Sequence, residues 1–210
     1  MRRPLITIAL TGALAGLAFP AAAEDSLPGL YRVTGVETKL NIRAEPDIGA
    51  PVIGALGRDA ADVEVVARDP GGAWGQVNAG ERAGWVSLDY LRSEGDLWAE
   101  GGELPPTLRC FGTEPFWEIR HEGDRLIRSG MDTEERTLTI DRVTGAAGSG
   151  SRVVVARDKE GAVTLGIAPE QCGDGMSDRA FGLGARLSEG DAPALTGCCS
   201  VAPRGDASGQ

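Results

Sequence analysis

Along most of the chain, apolar and polar residues alternate with a period of two, the signature of strands with one buried face. Tyr31-Arg-Val-Thr-Gly-Val36, Leu40-Asn-Ile-Arg43, Pro51-Val-Ile-Gly-Ala-Leu56, Val63-Glu-Val-Val66, Trp74-Gly-Gln-Val77 and Gly84-Trp-Val-Ser87 follow one another with Gly, Pro and Asp turns between them. Five or six short strands in so few residues predict a small antiparallel barrel over residues 30–92. Alternation returns at Trp117, Ile119 and His121, at Leu138 and Ile140, at Val163, Leu165 and Ile167, and at Phe181, Leu183, Ala185 and Leu187. About eight strands are expected over residues 107–200, as a second antiparallel barrel or meander whose closure would remove exposed edges. A helical period is absent, so the expected fold class is all-β.

Between the two patterned regions, residues 93–106 are acidic and carry Gly and Pro, which marks a linker, although Leu97 and Trp98 point to packing on a domain. Limited relative motion is therefore expected. The N-terminus departs from alternation altogether. Met1-Arg2-Arg3 is cationic, residues 5–19 are apolar, and Ala21-Ala22-Ala23 precedes Glu24-Asp25. That order is a secretory signal peptide over residues 1–23, with cleavage expected after Ala23 and an apolar run too short to span a bilayer. Residues 201–210 read as a disordered tail.

Composition narrows the function classes. The chain has 210 residues, with 21 Lys plus Arg against 31 Asp plus Glu. Loss of the leader would remove two arginines and leave a net charge of -12, which repels nucleic acid and anionic membrane surfaces. Neither is an expected partner. The 31 glycines lack a collagen period and read as turns between strands. One histidine and four cysteines leave little material for common catalytic or metal chemistry.

Leu40-Asn-Ile-Arg43, Pro46, Pro51-Val-Ile-Gly54, Trp74-Gly-Gln-Val77, Gly84-Trp-Val-Ser87 and Tyr90-Leu91 stand in an order that resembles the bacterial SH3-type (SH3b) domain. Asp69-Pro-Gly-Gly-Ala73 lengthens one turn relative to that pattern. The resemblance implies a targeting or ligand-binding module with a cell-wall component or an envelope protein as partner. Aromatics beside polar groups are the usual means by which so small a barrel holds a peptide or sugar. Asn41, Arg43, Trp74, Trp85 and Tyr90 are the candidate ligand-binding residues. Three of them have a bland counterpart: Trp85 sits in an apolar strand and reads as core, Arg43 as an ion-pair partner, and Asn41 as a turn holder.

The second region carries Cys110-Phe-Gly-Thr-Glu-Pro-Phe-Trp117, Cys172-Gly-Asp-Gly-Met-Ser-Asp-Arg179 and Gly197-Cys-Cys-Ser200. Together these resemble a domain of bacterial envelope proteins with G-x-E-P-F-W, C-x-D-x-M-S and terminal G-C hallmarks; the resemblance groups the chain but implies no chemistry. Glu114, Trp117, Asp174 and Asp178 are its motif residues. Exported cysteines imply disulfides, and a bond between adjacent Cys198 and Cys199 would be strained, which leaves two arrangements. The family's retained pair favours Cys172 with Cys198, and hence Cys110 with Cys199; the exchanged arrangement stays open.

Sharper chemistry finds weak support. A zinc site from the cysteines and His121 lacks ligand spacing, and no cysteine is poised as a nucleophile, so neither a metal nor a cofactor is expected. His121 reads as a surface or rim residue. Glu114, Asp132, Glu134, Glu135, Asp174 and Asp178 offer paired carboxylates for glycoside hydrolysis, but their abundance makes the signal unspecific. Glu114, before Pro115, reads best as a buried carboxylate fixing its turn. The Asp174-to-Asp178 loop lacks the repeating ligands of a calcium loop, and residues 145–150 lack the lysine and helix of a phosphate cradle. The expectation is a monomeric, non-catalytic, periplasmic or secreted protein that binds a peptidoglycan component or envelope protein. A carboxylate-dependent cell-wall hydrolase and an envelope interaction or inhibitor module are the alternatives.

Overall fold

In β2 (Lys39–Arg43), Leu40 and Ile42 are buried while Lys39, Asn41 and Arg43 face outward, so the predicted alternation is realised residue by residue. The same alternation runs through β4 (Val63–Val65), β6 (Trp74–Ala79) and β7 (Arg82–Ser87), while β1 (Gly29–Val33) is buried on both faces; β3 (Val52–Gly57), β5 (Ala67–Arg68), β8 (Leu91–Ser93) and a 3-10 turn at Leu88–Tyr90 complete the module. These strands form two small sheets, β4-β1-β8 and β3-β2-β7-β6-β5, around Tyr31, Val33, Leu40, Ile42, Val63, Val65, Val77 and Val86. The computed structural model describes residues 26–131 and 133–203. The leader expected at residues 1–23, Asp132, and the tail beyond Pro203 lie outside the described residues.

The C-terminal half is a closed eight-stranded barrel: β9 (Arg109–Thr113), β10 (Phe116–Glu122), β11 (Arg125–Gly130), β12 (Thr133–Gly145), β13 (Arg152–Asp158), β14 (Gly161–Cys172), β15 (Phe181–Glu189) and β16 (Leu195–Ser200). Each strand pairs antiparallel with the next, and β16 returns to pair with β9. Closure satisfies both edges. A register shift between Ile140 and Arg142 places one extra residue in β12, where the long strand must bend around the barrel. Trp117, Ile119, Leu126, Leu138, Val154, Leu165, Leu183 and Leu187 fill the interior, so the barrel is a packed core.

Trp117 shows why small residues recur in the motifs. Its indole N–H donates to the Thr196 carbonyl at 3.2 Å, and its ring fills the space that side chains at Gly112 and Gly197 would need. Both disulfides form in the arrangement the resemblance implied. Cys110 and Cys199 stand directly opposite on β9 and β16 and bridge inside the barrel; Cys198, one residue earlier, pairs with Cys172. All four thiols are thereby consumed.

The stretch read as a linker packs on the barrel core through Leu97 and Trp98, the two residues expected to do so. Trp98 is fully buried, Leu104 and Leu108 pack beside it, and the Trp98 indole donates to Pro28 O at 2.8 Å. Arg152 fastens the stretch from beneath. Its buried guanidinium donates to the carbonyls of Glu103, Glu100 and Ser151 at 2.8–2.9 Å, also reaches Ser149 O, and lies 5.2 Å over the Trp98 ring. His121, half-exposed at the rim as expected, does similar work, with its ring nitrogens 2.8 Å from Pro105 O and 2.7 Å from Gly123 O. Val201, expected to open the tail, is fully buried in the barrel core, because the chain must cross the barrel's end after β16.

The two halves share one seam. Leu30, on the outer face of β1, belongs to the barrel's hydrophobic cluster. Opposite it on β4, the Glu64 carboxylate accepts hydrogen bonds from the Ser200 hydroxyl at 2.6 Å and the Val201 N–H at 2.8 Å. Asn78 pairs with both backbone groups of Ala180, and Asp178 bridges to Arg82, continuing the sheet where β7 has no pairing to β2. Gly182 makes the approach feasible: a side chain there would meet Val66 O at 2.6 Å.

Candidate functional site

On the five-stranded sheet, the outward set of β2, β7 and β6 forms one continuous face. Arg43 stands opposite Trp85, and Trp85 opposite Gln76, in a single row across three strands. Trp74 lies two residues before Gln76 on β6, opposite Ser87, and Asn41 lies two residues before Arg43 on β2. Period-two geometry therefore brings four of the five sequence-predicted residues onto one surface. Trp85 is half-buried on this face and not core: its neighbours Gly84 and Val86 take the inward positions.

Two local devices hold the platform. The Arg43 guanidinium donates to Ala50 O at 2.7 Å, which anchors the loop between β2 and β3 and leaves Arg43 with a structural task in addition to its place beside Trp85. At the other side, the lengthened turn after β5 is organised by Asp69. Its carboxylate accepts from Trp74 N–H at 2.7 Å and Gly71 N–H at 2.9 Å. The bond from Trp74 leads the effects that hold the Asp69 carboxyl below its ordinary value. The departure from the family pattern is thus what sets the start of β6 and the position of Trp74.

Tyr90 joins a different neighbourhood. It closes the 3-10 turn, is 40% exposed, and lies beside Gly35 in the β1–β2 connection, where Thr34 N–H donates to its carbonyl at 2.8 Å. Sequence reading missed Gln76, whose side-chain oxygen is buried next to Trp85 and accepts no hydrogen bond among the described residues. A lone glutamine in a strand carries no motif, so only the cross-strand register exposes it. It also missed Glu64, Asn78 and Gly182, since contacts between modules leave no local pattern.

In the barrel, the motif acids separate by role. Asp174 accepts from the Met176 and Ser177 N–H groups at 2.9 and 2.8 Å and from the Ser177 hydroxyl at 2.8 Å. Burial works to raise its carboxyl, but these bonds and the Arg179 charge outweigh it and hold the group below its usual value. Asp178 contributes its backbone to the seam. Glu114 is exposed on the β9–β10 turn, contrary to the buried carboxylate expected, because Gly112 and Trp117 already fill the space beneath that turn. Glu134 and Glu135 lie on β12, apart from the motif acids. Among the described residues, no three His, Cys, Asp or Glu side chains converge as a metal-ligand set.

Comparison with known proteins adds one assignment. Residues 38–92 match the family model of the bacterial SH3 domain. The match begins after β1, although β1 completes the module by pairing with β4 and β8. No curated protein and no solved structure matches the chain. The bacterial SH3 domain and two disulfides are consistent with an extracytoplasmic protein.

Proposed function

We propose that the bacterial SH3 domain of this chain binds a cell-wall component, with peptidoglycan as the ligand class, through the face of Trp74, Trp85, Arg43, Asn41 and Gln76, and that the protein is a non-catalytic periplasmic or secreted binder. The row Arg43-Trp85-Gln76 carries this reading: an aromatic beside a cation offers stacking and charge-assisted hydrogen bonding together, with the buried Gln76 amide next to the ring. Tyr90 serves a neighbouring surface beside the β1–β2 connection. The barrel acts as a rigid mount in this scheme, since Leu30, Glu64 and Asn78 fix the domain to it.

Retention of the protein on purified sacculi, compared with Trp85→Ala and Trp74→Ala variants of unchanged thermal stability, tests the proposal. Equal retention of all three proteins overturns the assigned face, and no retention of the parent protein at low salt overturns wall binding. A second reading, docking of an envelope protein on the barrel, draws on exposed Phe116 and Met131 around a 580 Å³ depression at the barrel mouth.

A further inference from the structure

The three motifs of the C-terminal half, far apart in sequence, meet around one groove on the barrel's outer wall. Glu114 of the first, Cys172 and Asp174 of the second, and Gly197 and Cys198 of the third all line a space of about 720 Å³, within the size range of small-ligand and short-peptide sites. Its roof is the chain from Cys172 to Gly175. That segment folds back across the wall because Cys172 is bonded to Cys198 on β16, and because the Thr113 hydroxyl donates to Asp174 O at 3.0 Å. The roof is therefore held at both ends, by a covalent bond and by a hydrogen bond to the β9–β10 turn.

Most motif residues are accounted for by packing: Gly112 and Gly197 make room for Trp117, the cysteines bridge, and Asp174 knots its own loop. Glu114 is not. It is exposed on the groove's rim and has no bonded partner among the described residues. Glu170 enters from β14, and its carboxylate occupies the space that a side chain at Gly184 would fill, which places it directly over the groove floor. The floor itself carries little side-chain bulk: Gly166 and Ala168 on β14 lie beside Gly184 on β15. Two residues beyond Gly184 on the same face, Arg186 supplies an exposed cation, again without an ion-pair partner among the described residues.

Beside the Glu170 carboxylate that covers Gly184, the bare stretch at Gly166 and Ala168 leaves room for a polypeptide backbone lying against the wall, and the charges around it select the ends of the ligand. We infer that this groove is a second binding site, separate from the SH3 face, for a short extended peptide with a free ammonium group directed to Glu114 and Glu170 and a carboxylate directed to Arg186.

Calorimetric titration of the intact two-module protein with the tripeptide Ala-Ala-Lys, and with the same peptide acetylated at both amines, tests this. Saturable binding of the free peptide is expected, at least tenfold weaker for the acetylated form and for a Glu114→Gln/Glu170→Gln variant. Trp85→Ala is expected to bind it unchanged. Both carboxylates are exposed, so the double variant keeps the core intact, and an unshifted melting temperature verifies that. Equal affinity for the acetylated peptide, equal affinity in the double variant, or no saturable binding at millimolar peptide overturns the site. Loss in Trp85→Ala with no effect of the double variant places the peptide on the SH3 face, which supports wall recognition there while removing the groove.

Discussion

The carboxylate of Glu64 and the hydroxyl of Ser200, 136 positions apart in sequence, are joined by a 2.6 Å hydrogen bond at the seam of the two modules. Desolvation raises the Glu64 pKa above its ordinary value of 4.5, although the bonds from Ser200 and Val201 and the Arg179 charge pull the other way.

For an acid whose pKa is raised on folding, the folded state binds the proton more tightly than the unfolded one. Stability then declines as pH rises from the ordinary value through the raised one. Glu64→Gln is expected to lose that decline. Urea midpoints from pH 4.5 to 8 should fall with pH for the parent protein and stay flatter for the variant; parallel profiles would show that Glu64 does not titrate at the seam. Below about pH 4 the sign reverses. Asp158, held down chiefly by Arg136, and Asp69 and Asp174 then lose stabilising interactions on protonation in both proteins.

The disulfides should differ in strength. Cys110–Cys199 closes a separation of 89 residues and Cys172–Cys198 one of 26. On chain-entropy grounds, removing the first by paired Ser substitution is expected to cost about 4–5 kcal/mol and the second about 3–4 kcal/mol. Chemical denaturation of the two single-disulfide proteins gives the order directly, and the reverse order would count against the entropic account.

Gly182 is where the halves come closest. Gly182→Ala sets a methyl 2.6 Å from Val66 O, a backbone atom that cannot rotate away, and is expected to destabilise by about 1–3 kcal/mol. Gly166→Ala is the matched control, because its added carbon meets nothing nearer than Arg186 O at 3.8 Å. Denaturant midpoints that do not separate the two would remove the seam from that position.

Arg152 ties together a run of backbone carbonyls around Trp98. Arg152→Met keeps the bulk over Trp98 but removes the donors to Glu100, Glu103 and Ser151, and a loss of about 3 kcal/mol is expected. Hydrogen exchange should show the stretch around Trp98 losing protection first, ahead of the strands around Leu138 and Leu165.

Much of this was legible in the chain because strands write themselves locally. Leu40 and Ile42, or Leu183, Ala185 and Leu187, declare an inward face by spacing alone, and the SH3 order survives as short motifs. Trp85 was harder: a single tryptophan between Gly84 and Val86 has no sequence mark that says which side it takes, and the register with Arg43 decides it. Trp98 itself pointed to packing on a domain, but the stretch around it was only partly legible. Its acidic, glycine-rich neighbours read as a linker, whereas Arg152, more than fifty positions later, turns that segment into core. Glu64 and Gly182 were silent because their roles exist only between modules.

Leu30 lies in the core of a barrel to which its own module does not otherwise belong. The halves are therefore unsuited to being exchanged like beads: a barrel expressed without its N-terminal partner would present an unplugged end, and an SH3 domain trimmed to residues 38–92 would lack the strand that carries the plug. Joined, they act as a ruler. Whatever the Trp85 face holds stands at a fixed offset and angle from whatever the barrel mouth meets, so geometry, and not tether length, would govern whether both can be engaged at once.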